Sequence, residues 1–97
     1  MANQIRMTPE VMRERAREYA DQSLIVEQVI SKMDGLLSQL ESEWEGESSR
    51  SYVEKYEELR PGFEAAQELI MRISDALYKT AQMLEETDAA IAAGFRV

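Results

Sequence analysis

The chain has 97 residues, carries a formal net charge of −8 and contains neither cysteine nor histidine. The acidic balance argues against nucleic-acid binding, which needs a basic stripe, and the missing residue types remove disulfides, thiol nucleophiles, zinc sites and histidine-based triads. With only two prolines and four glycines, one domain of long helices is expected.

The first predicted helix begins near Thr8. Thr8 can cap it, Pro9 suits the first helical position, and Glu10 complements the helix dipole. From there apolar residues recur in alternating steps of four and three, which is a heptad seam. The seam consists of Met12, Ala16, Tyr19, Ser23, Val26, Ile30, Met33, Leu37, Leu40 and Trp44. We therefore predict a helix over about residues 8–43 with Trp44 as its last seam residue.

A corner is predicted at residues 44–47. Gly46 stands where a helix commonly ends in a left-handed conformation, and Ser48, Ser49 or Ser51 could cap a returning helix. A second seam follows in the same steps: Tyr52, Tyr56, Leu59, Phe63, Ala66, Ile70, Ile73, Leu77, Thr80, Leu84, Thr87 and Ile91. Gly94 is a plausible stop, so the second helix is expected over about residues 48–93.

Pro61 lies inside the second predicted helix. A proline in a helix interior costs about 3 kcal/mol and removes one backbone hydrogen bond, and a true break here would give three helices. The seam, however, keeps its phase from Leu59 to Phe63 to Ala66. A turn would usually reset that phase, so we predict a kink rather than a break.

The apolar surface is wider than one seam. Several residues one position before a seam residue are also small or apolar: Gly62, Leu69, Ala76, Met83 and Ala90 on helix two, and Val29 and Leu36 on helix one. The opposite flank of helix two, with Gln67, Ser74 and Asp88, is mostly polar. A stripe widened on one side is typical of a bundle with more than two helices. We therefore predict an all-α fold, an antiparallel helical hairpin that dimerises into a four-helix bundle. Its candidate interface residues are Val29, Leu36, Leu69, Ala76 and Met83.

Charge suggests how two hairpins would be oriented. Arginines lie near the termini (Arg6, Arg13, Arg15, Arg17), and glutamates crowd the corner (Glu41, Glu43, Glu45, Glu47, Glu54, Glu57, Glu58). Antiparallel packing would bring each acidic corner to the partner's arginine-bearing end. Exposed pairs contribute only about 0–1 kcal/mol each, so they would bias the orientation without adding much stability.

Two heptad helices joined by Trp44-Glu45-Gly46 resemble the WXG-motif family of small ESAT-like proteins. The resemblance covers essentially the whole chain and implies a secreted substrate of the type VII (ESX) secretion machinery of Gram-positive bacteria. Such a protein travels as a folded hairpin dimer without a cleaved signal peptide, and the first ten residues here lack the apolar region of one. Homodimers and heterodimers of related hairpins both occur in the family. The implied partners are a second hairpin and the secretion ATPase or membrane complex, with no cofactor and no metal.

The family also carries a C-terminal export signal. Its actinobacterial form, Tyr-x-x-x-Asp/Glu, fails here because Gln82 follows Tyr78. A related form with a general hydrophobe matches Leu84, Asp88, Ile91 and Phe95. The resemblance therefore favours a Firmicutes-type homodimer in which this segment lies beside Trp44 and Gly46 of the other subunit. Together these six residues form the predicted recognition motif.

Plainer interpretations stand beside this one. Trp44 could simply close the bundle, Leu84 and Ile91 could be core residues, and Asp88 could be only solvated. The paired acids Glu57–Glu58 and Glu85–Glu86 point about 100° apart on a helix, so no catalytic or metal site is expected. No apolar run is long enough to span a bilayer, and the acidic charge opposes binding to anionic lipid. The alternative function is a cytoplasmic structural or adaptor coiled coil unrelated to secretion.

Overall fold

The computed structural model describes residues 7–44 and 46–94, which form two long helices. Helix α1 spans Pro9–Glu43 and helix α2 spans Glu47–Gly94. They run antiparallel as a thin hairpin measuring 78 × 28 × 16 Å. The fold is therefore an extended all-helical hairpin, as the two heptad seams predict.

The start of α1 follows from its first residues. Thr8 has an extended backbone, and its hydroxyl accepts a hydrogen bond from the Val11 N–H at 3.2 Å. The Thr8 carbonyl in turn accepts from the Met12 N–H at 2.9 Å. Pro9, which has no N–H to leave unpaired, occupies the first helical position.

The corner is made by very few residues. The Trp44 backbone is extended, although its N–H still donates to the Leu40 carbonyl at 2.9 Å. Gly46 has a φ of +130° and directly precedes α2. Because α2 begins at Glu47, the serines that could have capped it lie within its first turns. The Ser49 hydroxyl donates to the Gly46 carbonyl at 2.9 Å, and the Ser51 hydroxyl donates to the Glu47 carbonyl at 3.1 Å.

The buried contact between the two helices consists mainly of small residues. Ala16, Ser23 and Ile30 of α1 and Ser49, Ser74 and Ala81 of α2 are the buried positions of the described residues. The Ser74 hydroxyl donates to the Ala16 carbonyl at 2.7 Å, and the Ser23 hydroxyl donates to the Gln67 carbonyl at 3.3 Å. A side-chain hydroxyl reaches the opposite backbone only when the helices approach closely. Alanine and serine permit that approach, and each serine hydroxyl is satisfied where it is buried.

Part of the second predicted seam faces away from α1. Tyr52 and Leu59 are 59% and 53% exposed, whereas Ser74 is buried and Gln67 is half-buried. The strip of α2 that touches α1 is thus rotated toward the mostly polar flank, and it includes Gln67 and Ser74. The reason is steric, since the closest contacts on α2 are made by the small side chains Ser49, Ser74 and Ala81.

This rotation gives the hairpin two different faces. Successive residues of a helix are rotated by about 100°. In two antiparallel helices, the residues one position before a seam residue therefore lie on the same side of the hairpin. That side is the outer apolar face, formed by Val29, Leu36, Leu40, Tyr52, Leu59, Leu69, Ala76 and Met83. The other side, the polar face, carries the hydrogen bonds that cross between the helices. All five candidate interface residues lie on the outer apolar face and are exposed, Val29, Leu36, Leu69 and Met83 by 48% to 65%.

Candidate recognition site at the corner and the carboxyl-terminal segment

Trp44 is held in place by an aromatic neighbour across the corner. Its ring is half-buried and packs against the ring of Tyr52, with centroids 5.3 Å apart and planes tilted by 54°. A tilted pair at this distance is a favourable aromatic geometry. The tryptophan is therefore fixed at the tip of the hairpin with part of its surface open to a partner.

Gly46 is required by its backbone conformation. A Cβ atom added there would meet nothing within 4 Å, so space does not restrict the residue. Its φ of +130° lies in a region that L side chains rarely adopt. The Trp44-x-Gly46 pattern thus combines an anchored ring with the glycine that allows the chain to reverse. Glu45, the residue between them, lies outside the described residues.

The predicted carboxyl-terminal motif lies along the last turns of α2. Leu84 is half-buried, whereas Asp88 is exposed and Ile91 is 54% exposed. Every residue from 85 to 94 is exposed. Apart from an ion pair of Glu85 with Arg13, these turns make little contact with the other described residues. Phe95, the last member of the predicted motif, lies outside that range.

The corner and the carboxyl-terminal segment lie at opposite ends of the hairpin. At 1.5 Å per residue, the helix between the corner and Leu84 is roughly 55 Å long. One chain therefore brings together Trp44 and Gly46, and separately Leu84, Asp88 and Ile91. It does not bring the two halves of the predicted motif together.

A polar cluster on the polar face was not predicted. Asp34 of α1 receives a two-pronged contact from Arg60, with Nε to Oδ1 at 2.9 Å and Nη2 to Oδ2 at 2.8 Å. The Tyr56 hydroxyl also donates to Asp34 Oδ1, at 2.5 Å. Arg60 and Tyr56 together lower the pKa of Asp34 from 3.8 to about 2, and Asp34 in turn raises the pKa of Tyr56. Arg60 directly precedes Pro61, so the cluster anchors α2 to α1 where its helical hydrogen bonding is interrupted.

Two further polar contacts cross between the helices. Arg13 forms an ion pair with Glu85, and the Gln67 amide donates to Glu27 Oε2 at 3.0 Å. Arg15 pairs with Glu18 in its own helix. Arg13 and Arg15 were expected to face the acidic corner of a partner, but both have carboxylate partners within the chain. Their charge is therefore a weaker determinant of dimer orientation than the sequence suggested.

The described residues contain neither a membrane-spanning helix nor an acidic metal site. Neither helix contains a stretch with both the length and the apolarity needed to cross a membrane. Within residues 7–44 and 46–94, no group of three or more acidic residues is arranged to hold a metal ion.

Comparison with known proteins gives concordant matches. The family model described as "WXG100: Proteins of 100 residues with WXG" matches residues 4–89. Protein YukE of Bacillus subtilis is 38% identical over 92 residues, covering 95% of each chain. The type VII secretion system extracellular protein A of Staphylococcus aureus is 26% identical over 91 residues, covering 94% of each chain. The crystal structure of Geobacillus thermodenitrificans EsxA superposes with a TM-score of 0.83 at 40% identity, covering 95% of this chain and 99% of that one.

Proposed function

Because this chain belongs to the WXG100 family, we propose that it is a secreted substrate of a type VII secretion system, exported as a folded homodimer. A Staphylococcus aureus relative is named an extracellular protein of that system, and its match spans nearly the whole of both chains. The WXG pattern and most of the hairpin lie within residues 4–89, which the family model matches. Export of this chain is the simplest function compatible with that full-length similarity.

The main support for a dimer is the exposure of the outer apolar face. A single hairpin leaves Leu69 and Met83 59% and 65% exposed, together with the other apolar residues of that face. A continuous apolar surface of this kind marks an interaction site. Packing a second copy against it gives a four-helix bundle in which the exposed apolar residues of that face lie between the subunits.

The proposed dimer would also bring together the two halves of the predicted recognition motif, which lie far apart in one chain. Antiparallel packing places the corner of each hairpin beside the last turns of α2 of the other. Trp44 and Gly46 of one subunit would then join Leu84, Asp88 and Ile91 of the other, with Phe95 next in sequence, in one composite surface. The proposed role of this surface is protein–protein recognition by the secretion ATPase or membrane complex, without catalysis.

Export of single-residue variants tests this proposal. In a bacterium with a type VII system, Trp44→Ala and Asp88→Ala should each leave the helical dimer intact and greatly reduce the protein in the medium. Asp75→Ala is a matched control, because Asp75 is also an exposed α2 aspartate but lies outside the composite surface. Circular dichroism and solution mass establish that each variant is folded and dimeric.

The outcomes separate the competing functions. Normal secretion of both Trp44→Ala and Asp88→Ala would refute the composite surface while leaving export in place. Wild-type protein retained in the cell, with an active secretion system exporting its other substrates, would favour the adaptor coiled coil instead.

A further inference from the structure

A notch opens beside Tyr52 on the outer apolar face. It is lined by Ser48, Ser51, Tyr52 and Lys55, has a volume of about 420 Å³ and is open to solvent. Ser48 and Lys55 are one heptad apart, and Tyr52 stands between them. The aromatic ring, 59% exposed, forms the apolar wall of the notch. The Tyr52 ring also packs against Trp44, so an occupant of the notch would lie next to the Trp44–Tyr52 pair at the corner.

The exposed turns at the other end of α2 offer an occupant. Residues 85–94 are all exposed, and Ile91 is their only large aliphatic side chain. Helix α2 has 48 residues against 35 in α1, so its end extends past the beginning of the shorter helix. Within one chain Ile91 cannot reach the notch, because 39 helical residues separate it from Tyr52 by about 58 Å. Only a second copy can bring the two together.

The seam of α2 is self-complementary when it is reversed. If a two-fold axis crosses α2 between Met71 and Arg72, each seam residue lies opposite another seam residue of the second copy. The pairs are Tyr52 with Ile91, Tyr56 with Thr87, Leu59 with Leu84, Phe63 with Thr80, Ala66 with Leu77, and Ile70 with Ile73. Antiparallel heptad helices pack in layers of this kind, in which a seam residue of one helix lies opposite a seam residue of the other.

Sliding one copy along the other by one heptad, which moves the axis by half a heptad, preserves the pattern but pairs fewer seam residues. Tyr52 would then face Leu84, and Ile91 would extend past Tyr52, the first seam residue of α2 in the other copy. A second such shift puts Tyr52 opposite Leu77 and leaves both Leu84 and Ile91 unopposed. Tyr52 and Ile91, the two ends of the seam, are both more than half exposed in the hairpin. Only the first register covers both.

From these observations we propose that the notch beside Tyr52 is the seat for Ile91 of the partner subunit. The proposal rests on the homodimer proposed above and adds its register. The corner site is incomplete without the second copy, because the notch stays open to solvent until the partner's isoleucine fills it. Two such seats form per dimer, one at each end.

The absence of cysteine makes disulfide trapping a direct test. Tyr52→Cys/Ile91→Cys is expected to give a covalent dimer on mild copper-catalysed air oxidation, read by non-reducing electrophoresis. Neither single variant should do so, because each new cysteine would face a native residue. An equimolar mixture of the two single variants, exchanged and then oxidised, should yield the mixed covalent dimer. Circular dichroism before oxidation establishes that each variant is helical.

Two further pairs test the register against its neighbours. Tyr52→Cys/Leu84→Cys and Tyr52→Cys/Leu77→Cys report shifts of one and two heptads. Faster crosslinking of either pair than of Tyr52→Cys/Ile91→Cys would overturn the register, although the homodimer itself would stand. A folded chain that crosslinks through none of the three pairs and has the mass of a monomer would overturn the homodimer as well.

Discussion

At Gly46, backbone conformation restricts the residue type more than space does. The glycine lets the chain leave an extended Trp44 and begin α2 at Glu47. The half-buried tryptophan ring then lies on Tyr52, one turn into the second helix. The two defined residues of the WXG pattern therefore have separate physical tasks, reversal of the chain and presentation of a ring.

Alanine at Gly46 should destabilise the hairpin. A side chain at φ +130° costs on the order of 1–3 kcal/mol, and no neighbouring atom offers a compensating contact. Gly35→Ala is the matched control, because Gly35 is inside α1 and has equally open space around it. Alanine there should raise the free energy of unfolding by about 0.5–1 kcal/mol. Urea unfolding at equal chain concentration measures both. Equal effects of the two substitutions would contradict the conformational role of Gly46.

Acid should dissociate the polar cluster in a defined pH range. The pKa of Asp34 is about 2 in the folded chain and 3.8 when unperturbed, so the cluster stabilises the fold fully above pH 4. That contribution is lost as the pH falls from about 4 to 2. Arg13 likewise lowers the pKa of Glu85, which adds a loss of the same sign.

Asp34→Asn isolates this effect. The variant should melt at a lower temperature than the wild type at neutral pH, and the difference should shrink between pH 4 and pH 2. Thermal unfolding followed by circular dichroism across that range makes the measurement. A melting difference that stays constant down to pH 2 would argue against the ionised Asp34 as the source of stability.

At the scale of the elements, close contact between α1 and α2 depends on small side chains. Ala81 is completely buried, and Ser74 nearly so, on the strip of α2 that faces α1. Ala81→Leu should cost about 1–3 kcal/mol, because the added carbons must push the helices apart. Ala89→Leu, on an exposed part of the same helix outside the outer apolar face, should change stability by less than about 0.5 kcal/mol. Chemical denaturation compares the two, and a neutral Ala81→Leu would rule out the close contact.

Local signals in the sequence predict the helices well. Thr8 and Pro9 mark the start of α1, and Gly46 marks the corner, because each acts on backbone within one turn of itself. The rotation of the contact strip could not be predicted in this way. A heptad seam identifies an apolar stripe, but it does not specify which half packs within the hairpin and which half remains for a second copy.

The candidate site was predictable only as separate halves. Trp44 with Gly46, and Leu84 with Asp88 and Ile91, are each visible as short patterns. The contact of Asp34 with Arg60 joins residues 26 positions apart and depends on how the two helices align. No periodicity of one helix determines that alignment, so the cluster emerged only from the structure.

At the scale of the whole molecule, the two faces of the hairpin should behave differently. The wild-type chain should have twice its 11.1 kDa mass in solution, and Leu69→Lys/Met83→Lys should be monomeric because it places two charges on the outer apolar face. Leu24→Lys is the control. Leu24 is 57% exposed but lies one turn before Glu27, on the side of the polar contacts, so this variant should stay dimeric. Light scattering after size exclusion gives the masses, and dissociation by Leu24→Lys alone would assign the interface to the other face.

The central claim is that each recognition surface is shared between two subunits. Trp44→Ala damages the corner of its chain, and Asp88→Ala damages the carboxyl-terminal segment of its chain. In a mixed dimer of the two, the intact corner of one subunit lies beside the intact segment of the other, so one of the two surfaces is undamaged. Co-expression should therefore restore secretion of both variants, although each alone stays in the cell. The measurement is the amount of each tagged variant in the medium. Mixed dimers that form in the cell but are not secreted would contradict the shared surface.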